Sequence, residues 1–119
     1  MTKKFNFGRV GQPFDVRWPV TVQVPQDGGT VEEETFEAVF RLTPSTELTG
    51  AALGSMGTIT AIDALKKVFV GLGPDEPEPF TEKLRDDMLA TDWVRAGISR
   101  SFVNCSLGIA EKNSERRPG

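Results

Sequence analysis

Few side chains in this sequence could carry nucleophilic or acid–base chemistry. The 119 residues contain no His, no Tyr and a single Cys, at position 105. A catalytic thiol needs a neighbouring base, most often an imidazole, so the chain offers Cys105 no such partner. One Cys excludes a disulfide within the chain, and the lack of His excludes a zinc site of the Cys/His kind. We therefore expect no enzyme activity and no cofactor, and Cys105 is predicted to pack in the core.

Three carboxylates lie in the segment 74–79, Pro-Asp-Glu-Pro-Glu-Pro. Their oxygens could contact a cation, but the spacing lacks the ligand alternation and the Gly of a calcium loop. The three prolines prevent regular secondary structure in this segment. We interpret it as a stiff, solvated loop with no metal bound.

The overall composition also limits the partners. Fourteen basic and 17 acidic residues give a net charge of −3, which lacks the basic footprint of a nucleic-acid-binding protein. No apolar run approaches the roughly 20 residues that span a bilayer, and the first residues do not resemble a signal peptide. We expect one cytoplasmic domain that binds neither nucleic acid nor membrane.

Two alternating apolar runs predict a β-hairpin over residues 14–42. The apolar side chains fall on even positions, which places them on one face of each strand. They are Phe14, Val16, Trp18, Val20, Val22 and Val24 in the first run, and Phe36, Ala38, Phe40 and Leu42 in the second. Between the runs, Asp27-Gly28-Gly29 tolerates the positive φ of a tight reversal. Pro19 cannot donate to a ladder, so the first strand is predicted to lie at a sheet edge or to bulge.

After the hairpin, the capping residues, the Gly and Pro positions and the apolar spacing predict helices at about 44–55, 59–70, 82–90 and 92–110. The first is weakened by Gly50 and Gly54, and a flexible connector explains it equally well. Thr81 is the expected N-cap of the third helix. The fourth has an apolar stripe at spacings of three and four, formed by Val94, Ile98, Phe102, Cys105 and Ile109. Gly97 within it is expected to permit close approach of another backbone.

These elements predict an α+β fold. Residues 1–12 form a polar arm, residues 13–110 one domain, and residues 111–119 a polar tail that we expect to be disordered. The apolar face of the hairpin or small antiparallel sheet would pack against three or four helices. Phe69 and Phe102 are the expected aromatic contacts from the helical side.

The order of several short motifs resembles a known family. They are residues 18–29 (Trp-Pro-Val-Thr-Val-Gln-Val-Pro-Gln-Asp-Gly-Gly), residues 35–41, Val68-Phe69-Val70-Gly71, Pro79-Phe80-Thr81 and Ala110-Glu111-Lys112-Asn113. From residue 14 to residue 113, the chain resembles the small tail assembly chaperones of long-tailed bacteriophages and prophages. It departs from them at Leu72, where the family often has Trp, and in the Gly-rich region 50–57.

The resemblance implies a helper in the host cell cytoplasm. Such a protein would bind the tape-measure protein, keep it soluble, help to recruit tail-tube subunits, and be absent from the finished virion. The alternative is a permanent minor structural protein of the tail, such as a completion or tube-like subunit.

Leu72, Phe80 and Trp93 are the candidate partner-binding residues. An amphipathic helix of the partner could lie in an apolar groove between the helices, with Trp93 at its lip. For Phe80 and Trp93, ordinary core or helix-end packing is the competing interpretation. The expected edge strand leaves weak self-association open.

The resemblance also implies a −1 ribosomal frameshift near the end of the gene. Glu111-Lys112-Asn113 can be encoded GAA AAA AAC, which contains the slippery heptamer A AAA AAC in the required phase. Other codons for the same three residues lack the heptamer, so the codons decide whether a frameshift can occur at this position.

Overall fold

The computed structural model describes residues 2–44 and 57–111. They form an α+β fold in which a three-stranded antiparallel sheet, in the order β1-β2-β3, packs against helices. The strands are β1 (Phe14–Pro25), β2 (Val31–Leu42) and β3 (Phe69–Leu72), the helices are α1 (Thr58–Val68), α2 (Glu82–Ala90) and α3 (Asp92–Leu107), and a single 3-10 turn spans Phe7–Arg9. Apart from Pro44, the helix expected at about 44–55 lies outside the described residues.

The predicted hairpin is confirmed. β1 and β2 pair without a break from Phe14 opposite Leu42 to Pro25 opposite Val31. Gly28 and Gly29 have φ values of 90° and 89°, the left-handed region in which a side chain would be strained. β1 is an edge strand, as its proline predicts.

The segment after α1 differs from the prediction of a helix over 59–70. The helix ends at Val68, and Phe69–Leu72 forms β3. There Leu72 pairs with Ala38 and Gly71 pairs with Val39 of β2. Phe69 is buried. Its spacing of four residues from Leu65 fits a helix, but the strand also directs its side chain into the core. Val-Phe-Val suits either structure, and the available edge of β2 decides for the strand.

The last helix begins as predicted but ends earlier than residue 110. Gly108 terminates α3 in the left-handed conformation, with φ 73°. Ile109, the last member of the predicted stripe, therefore leaves the helix and is 50% exposed. The predicted cap of α2 is confirmed, because Oγ1 of Thr81 accepts a 3.0 Å hydrogen bond from the Leu84 amide.

Gly97 permits the close approach of another backbone, as predicted, and the structure shows that this backbone is β1, which α3 crosses here. A Cβ atom at Gly97 would lie 2.6 Å from the carbonyl oxygen of Thr21 and 2.7 Å from Cγ1 of Val22. Nearby, Nη2 of Arg100 donates a 3.1 Å hydrogen bond to the same Thr21 carbonyl. The helix thus covers part of the edge that β1 would otherwise present.

An aromatic cluster joins the sheet to the helices. The ring of Phe40 lies 6.2 Å from that of Phe69 and 5.5 Å from that of Phe102. These rings pack with the other buried apolar residues, Val20, Val22, Ala38, Leu65, Val68, Leu89, Ile98 and Cys105. Phe102 enters this core from a helix, as expected, whereas Phe69, which was also expected on a helix, enters it from β3. Within residues 2–44 and 57–111, no helix is long and apolar enough to cross a membrane.

Candidate functional site

An open apolar groove lies where the sheet meets α2. It has a volume of about 250 Å³. Phe36, Leu72, Leu84, Met88 and Pro77 form its apolar lining, and Glu76 and Glu78 complete it. We call this surface the apolar groove and its two glutamates the acidic rim. A concave apolar surface with few charges is the usual form of a binding site.

Two elements bring the apolar lining together. Leu72 ends β3 directly opposite Ala38, two residues from Phe36 along β2. Leu84 and Met88 are four residues apart on α2, so they share one helix face. The groove therefore depends on β3, the strand that the sequence pattern does not reveal.

The loop that carries the acidic rim is fastened to β2. The Gly73 amide donates a 2.9 Å hydrogen bond to the Glu37 carbonyl, and the Glu37 amide donates a 2.7 Å bond to Oε2 of Glu76. A side chain at Gly73 would collide with that of Glu37. The segment 74–79 was expected to be solvated, but its Glu76 carboxylate accepts a structural hydrogen bond from β2. This bond continues the hydrogen-bond ladder along β2 where β3 ends.

The three predicted partner-binding residues lie in different settings. Leu72 lines the apolar groove. Phe80 packs edge-on against Phe69, with ring centroids 5.2 Å apart, and is partly buried at the core. Trp93 is 39% exposed in the first turn of α3. The groove residues that the sequence reasoning missed as a site are Phe36, Glu76, Pro77, Glu78, Leu84 and Met88. Phe36 had the strand alternation as a signal, and Leu84 and Met88 had the apolar spacing of α2.

Cys105 lies in the core, as predicted, and its environment disfavours the thiolate. Burial and the nearby Glu111 carboxylate raise the pKa of the thiol to about 11. At neutral pH the side chain is therefore a protonated thiol, which is a poor nucleophile.

Glu111 belongs to the folded domain, although the sequence placed it at the start of the polar tail. Its Oε2 accepts a 2.7 Å hydrogen bond from Nε1 of Trp18 and a 3.3 Å bond from Nδ2 of Asn104. The carboxylate thus ties the end of the described chain to β1. Lys112 and Asn113 lie outside the described residues.

The groove combines an apolar lining with the carboxylates of Glu76 and Glu78. Across the two described ranges, no cluster of three or more His, Cys, Asp or Glu side chains is arranged to hold a metal ion. No family model, curated protein or solved structure matches this chain.

Proposed function

We propose that this protein is a tail assembly chaperone of a long-tailed bacteriophage or prophage. In the host cell cytoplasm it would bind the tape-measure protein, keep it soluble and help to recruit tail-tube subunits. The apolar groove with its acidic rim is the observation that carries the proposal, and the ordered motifs between residues 14 and 113 support it. Its role is binding rather than catalysis.

The groove suits one face of an amphipathic helix. Such a helix presents apolar anchors at positions i, i+3 or i+4, and i+7, which would contact Leu72, Leu84 and Met88. Basic residues beside those anchors would lie near Glu76 and Glu78. Because the groove is open, it would cover only part of a long helix and release it again during assembly.

Coexpression with the neighbouring tape-measure protein tests this proposal. We expect the wild-type chain to increase the soluble fraction of the tape-measure protein, and Leu84→Ser to lose most of that increase. Leu107→Ser is the matched control, since Leu107 is an exposed helical leucine that does not line the groove. Thermal unfolding of both variants verifies that they fold. No gain in solubility with the wild-type chain would contradict the proposal.

Mass spectrometry of purified virions separates the chaperone from the alternative, a permanent minor structural protein of the tail. A transient helper would be absent from the particle. Stoichiometric presence in the tail would favour the structural role.

The proposed frameshift at Glu111, Lys112 and Asn113 is compatible with the described fold. Glu111 is the last described residue, and its bond to Trp18 closes the domain. A slip at this position would leave the whole domain in both the short and the extended product. Codons that lack the slippery heptamer would exclude the frameshift at this site.

A further inference from the structure

The N-terminal arm, which we define as residues 2–12, exposes apolar side chains beside positive charge. Phe5, Phe7 and Val10 are all more than half exposed, and the two Phe rings form a T-shaped pair with centroids 4.8 Å apart. The arm carries Lys3, Lys4 and Arg9 and no acidic residue. It is thus a basic, aromatic segment attached to an acidic protein.

The apolar groove has the complementary composition. Its floor offers Phe36, Leu72 and Met88 to an aromatic ring. Its lining also includes the carboxylates of Glu78 and of Glu76, whose Oε2 accepts from the Glu37 amide. Methionine and aromatic side chains adapt well to an inserted phenyl ring. Apolar and charged groups therefore match between the arm and the groove.

The sheet edges are poorer surfaces for association between copies. Part of the β1 edge is covered by α3, where Arg100 donates to the Thr21 carbonyl. At the other edge of the sheet, β3 pairs with Ala38–Phe40 of β2. The half of β2 next to the hairpin turn carries Glu32, Glu33 and Glu34. Pairing two such acidic strands would place like charges opposite each other.

We propose that the arm of one copy docks in the apolar groove of a second copy. Phe5 and Phe7 enter the floor, and Lys3 and Lys4 lie against the acidic rim. Reciprocal exchange of two arms closes a dimer. The inference does not depend on the identity of the client that the groove binds.

The contact is small, so the association is weak and sensitive to salt. An arm held in the groove would also shield two exposed Phe side chains from nonspecific contacts. A client helix that binds more tightly would displace the arm.

Sedimentation equilibrium of the full chain between about 10 µM and about 1 mM, the range of weak interfaces, tests the inference. We expect the average mass to rise from the 13.0 kDa of one chain toward twice that value. Removing an aromatic anchor should weaken dimerisation by about tenfold for each Phe. Phe5→Ser/Phe7→Ser should therefore remain monomeric over the whole range. Ile59→Ser is the matched control, because Ile59 is 77% exposed, like Phe7 at 79%, but lies on α1.

A charge exchange tests the predicted orientation. Lys3→Glu/Lys4→Glu and Glu78→Lys should each weaken dimerisation at low salt by about threefold or more, and their combination should restore it. Asp63→Lys, an exposed charge change on α1 outside the groove, should have little effect. Circular dichroism verifies the fold of every variant.

Two results would overturn the inference. One is an average mass equal to that of a single chain at every concentration. This result would mean that the arm stays free or folds onto the groove of its own copy. The other is association that persists in Phe5→Ser/Phe7→Ser or is unaffected by the charge exchange, which would place the contact elsewhere.

Discussion

At the scale of single residues, the environment of Cys105 determines its chemistry. The side chain is buried beside the aromatic cluster, and the Glu111 carboxylate adds negative charge nearby. Both effects disfavour a thiolate, since desolvation and a like charge each penalise the negative form. The thiol therefore acts as a small apolar side chain in this fold.

This environment predicts a dependence of stability on alkaline pH. The pKa of Cys105 rises from 9.0 to about 11 on folding, so the folded state holds the proton more tightly than the unfolded state. The free energy of unfolding should therefore be unaffected by this group below pH 9. It should fall by roughly 1 to 3 kcal/mol as the pH rises from about 9 to about 11.

Chemical denaturation of the wild-type chain and of Cys105→Ala across this pH range measures the effect. The variant should lack this component of the decrease, whereas titrating lysines affect both proteins alike. Parallel curves for the two proteins would show that the thiol does not titrate as we infer.

Glu76 shows how one side chain can replace a strand. Beyond Gly73 the chain leaves β2, yet the Glu37 amide still finds an acceptor in the Glu76 carboxylate at 2.7 Å. An unpaired amide at this partly buried position would cost free energy. The bond also holds the loop that carries the acidic rim.

At the scale of elements, the crossing of α3 over β1 depends on Gly97. A helix-interior glycine is unfavourable by roughly 1 kcal/mol relative to Ala, so its presence needs a reason. The reason is the proximity of the Thr21 carbonyl and Val22, which leaves no room for a Cβ atom.

We expect Gly97→Ala to destabilise the protein. Overpacking costs about 1 to 3 kcal/mol and should exceed the gain in helix propensity. Gly71→Ala in β3 is the control, because its Cβ would lie at an ordinary 3.5 Å from the side chain of Val39 in β2. That variant should be neutral or slightly more stable. Urea denaturation measures both, and a Gly97→Ala variant as stable as the wild type would refute the close crossing.

At the scale of the whole molecule, Glu111 closes the domain across 93 residues of sequence. Its carboxylate accepts from Trp18 in β1 and from Asn104 in α3. The edge strand and the last helix are therefore held together by a charge-assisted hydrogen bond in addition to the apolar core.

Removing this closure should lower global stability. Glu111→Ala leaves the Trp18 indole donor without this acceptor, which should cost about 1 to 2 kcal/mol and alter the tryptophan emission. Glu34→Ala, at an exposed site on β2, is the control and should change stability by less than about 0.5 kcal/mol. Urea denaturation followed by tryptophan fluorescence compares the two. Equal stability of the two variants would mean that the bond contributes little in solution.

Local patterns in the sequence determined the hairpin, the cap at Thr81 and the start of α3. Each of these depends on neighbours within a few residues, through strand alternation, turn glycines or helix periodicity. The burial of Cys105 also followed from its helical spacing. These features needed no knowledge of distant partners.

Only the tertiary structure decided β3, the apolar groove and the bonds of Glu76 and Glu111. Phe69–Leu72 is a strand because β2 offers it an edge, and Leu72 meets Leu84 and Met88 only after that pairing. Glu76 and Glu111 have partners 39 and 93 residues away in the chain. A local pattern cannot specify such contacts, because hydrogen-bond and packing partners are selected by the assembled fold.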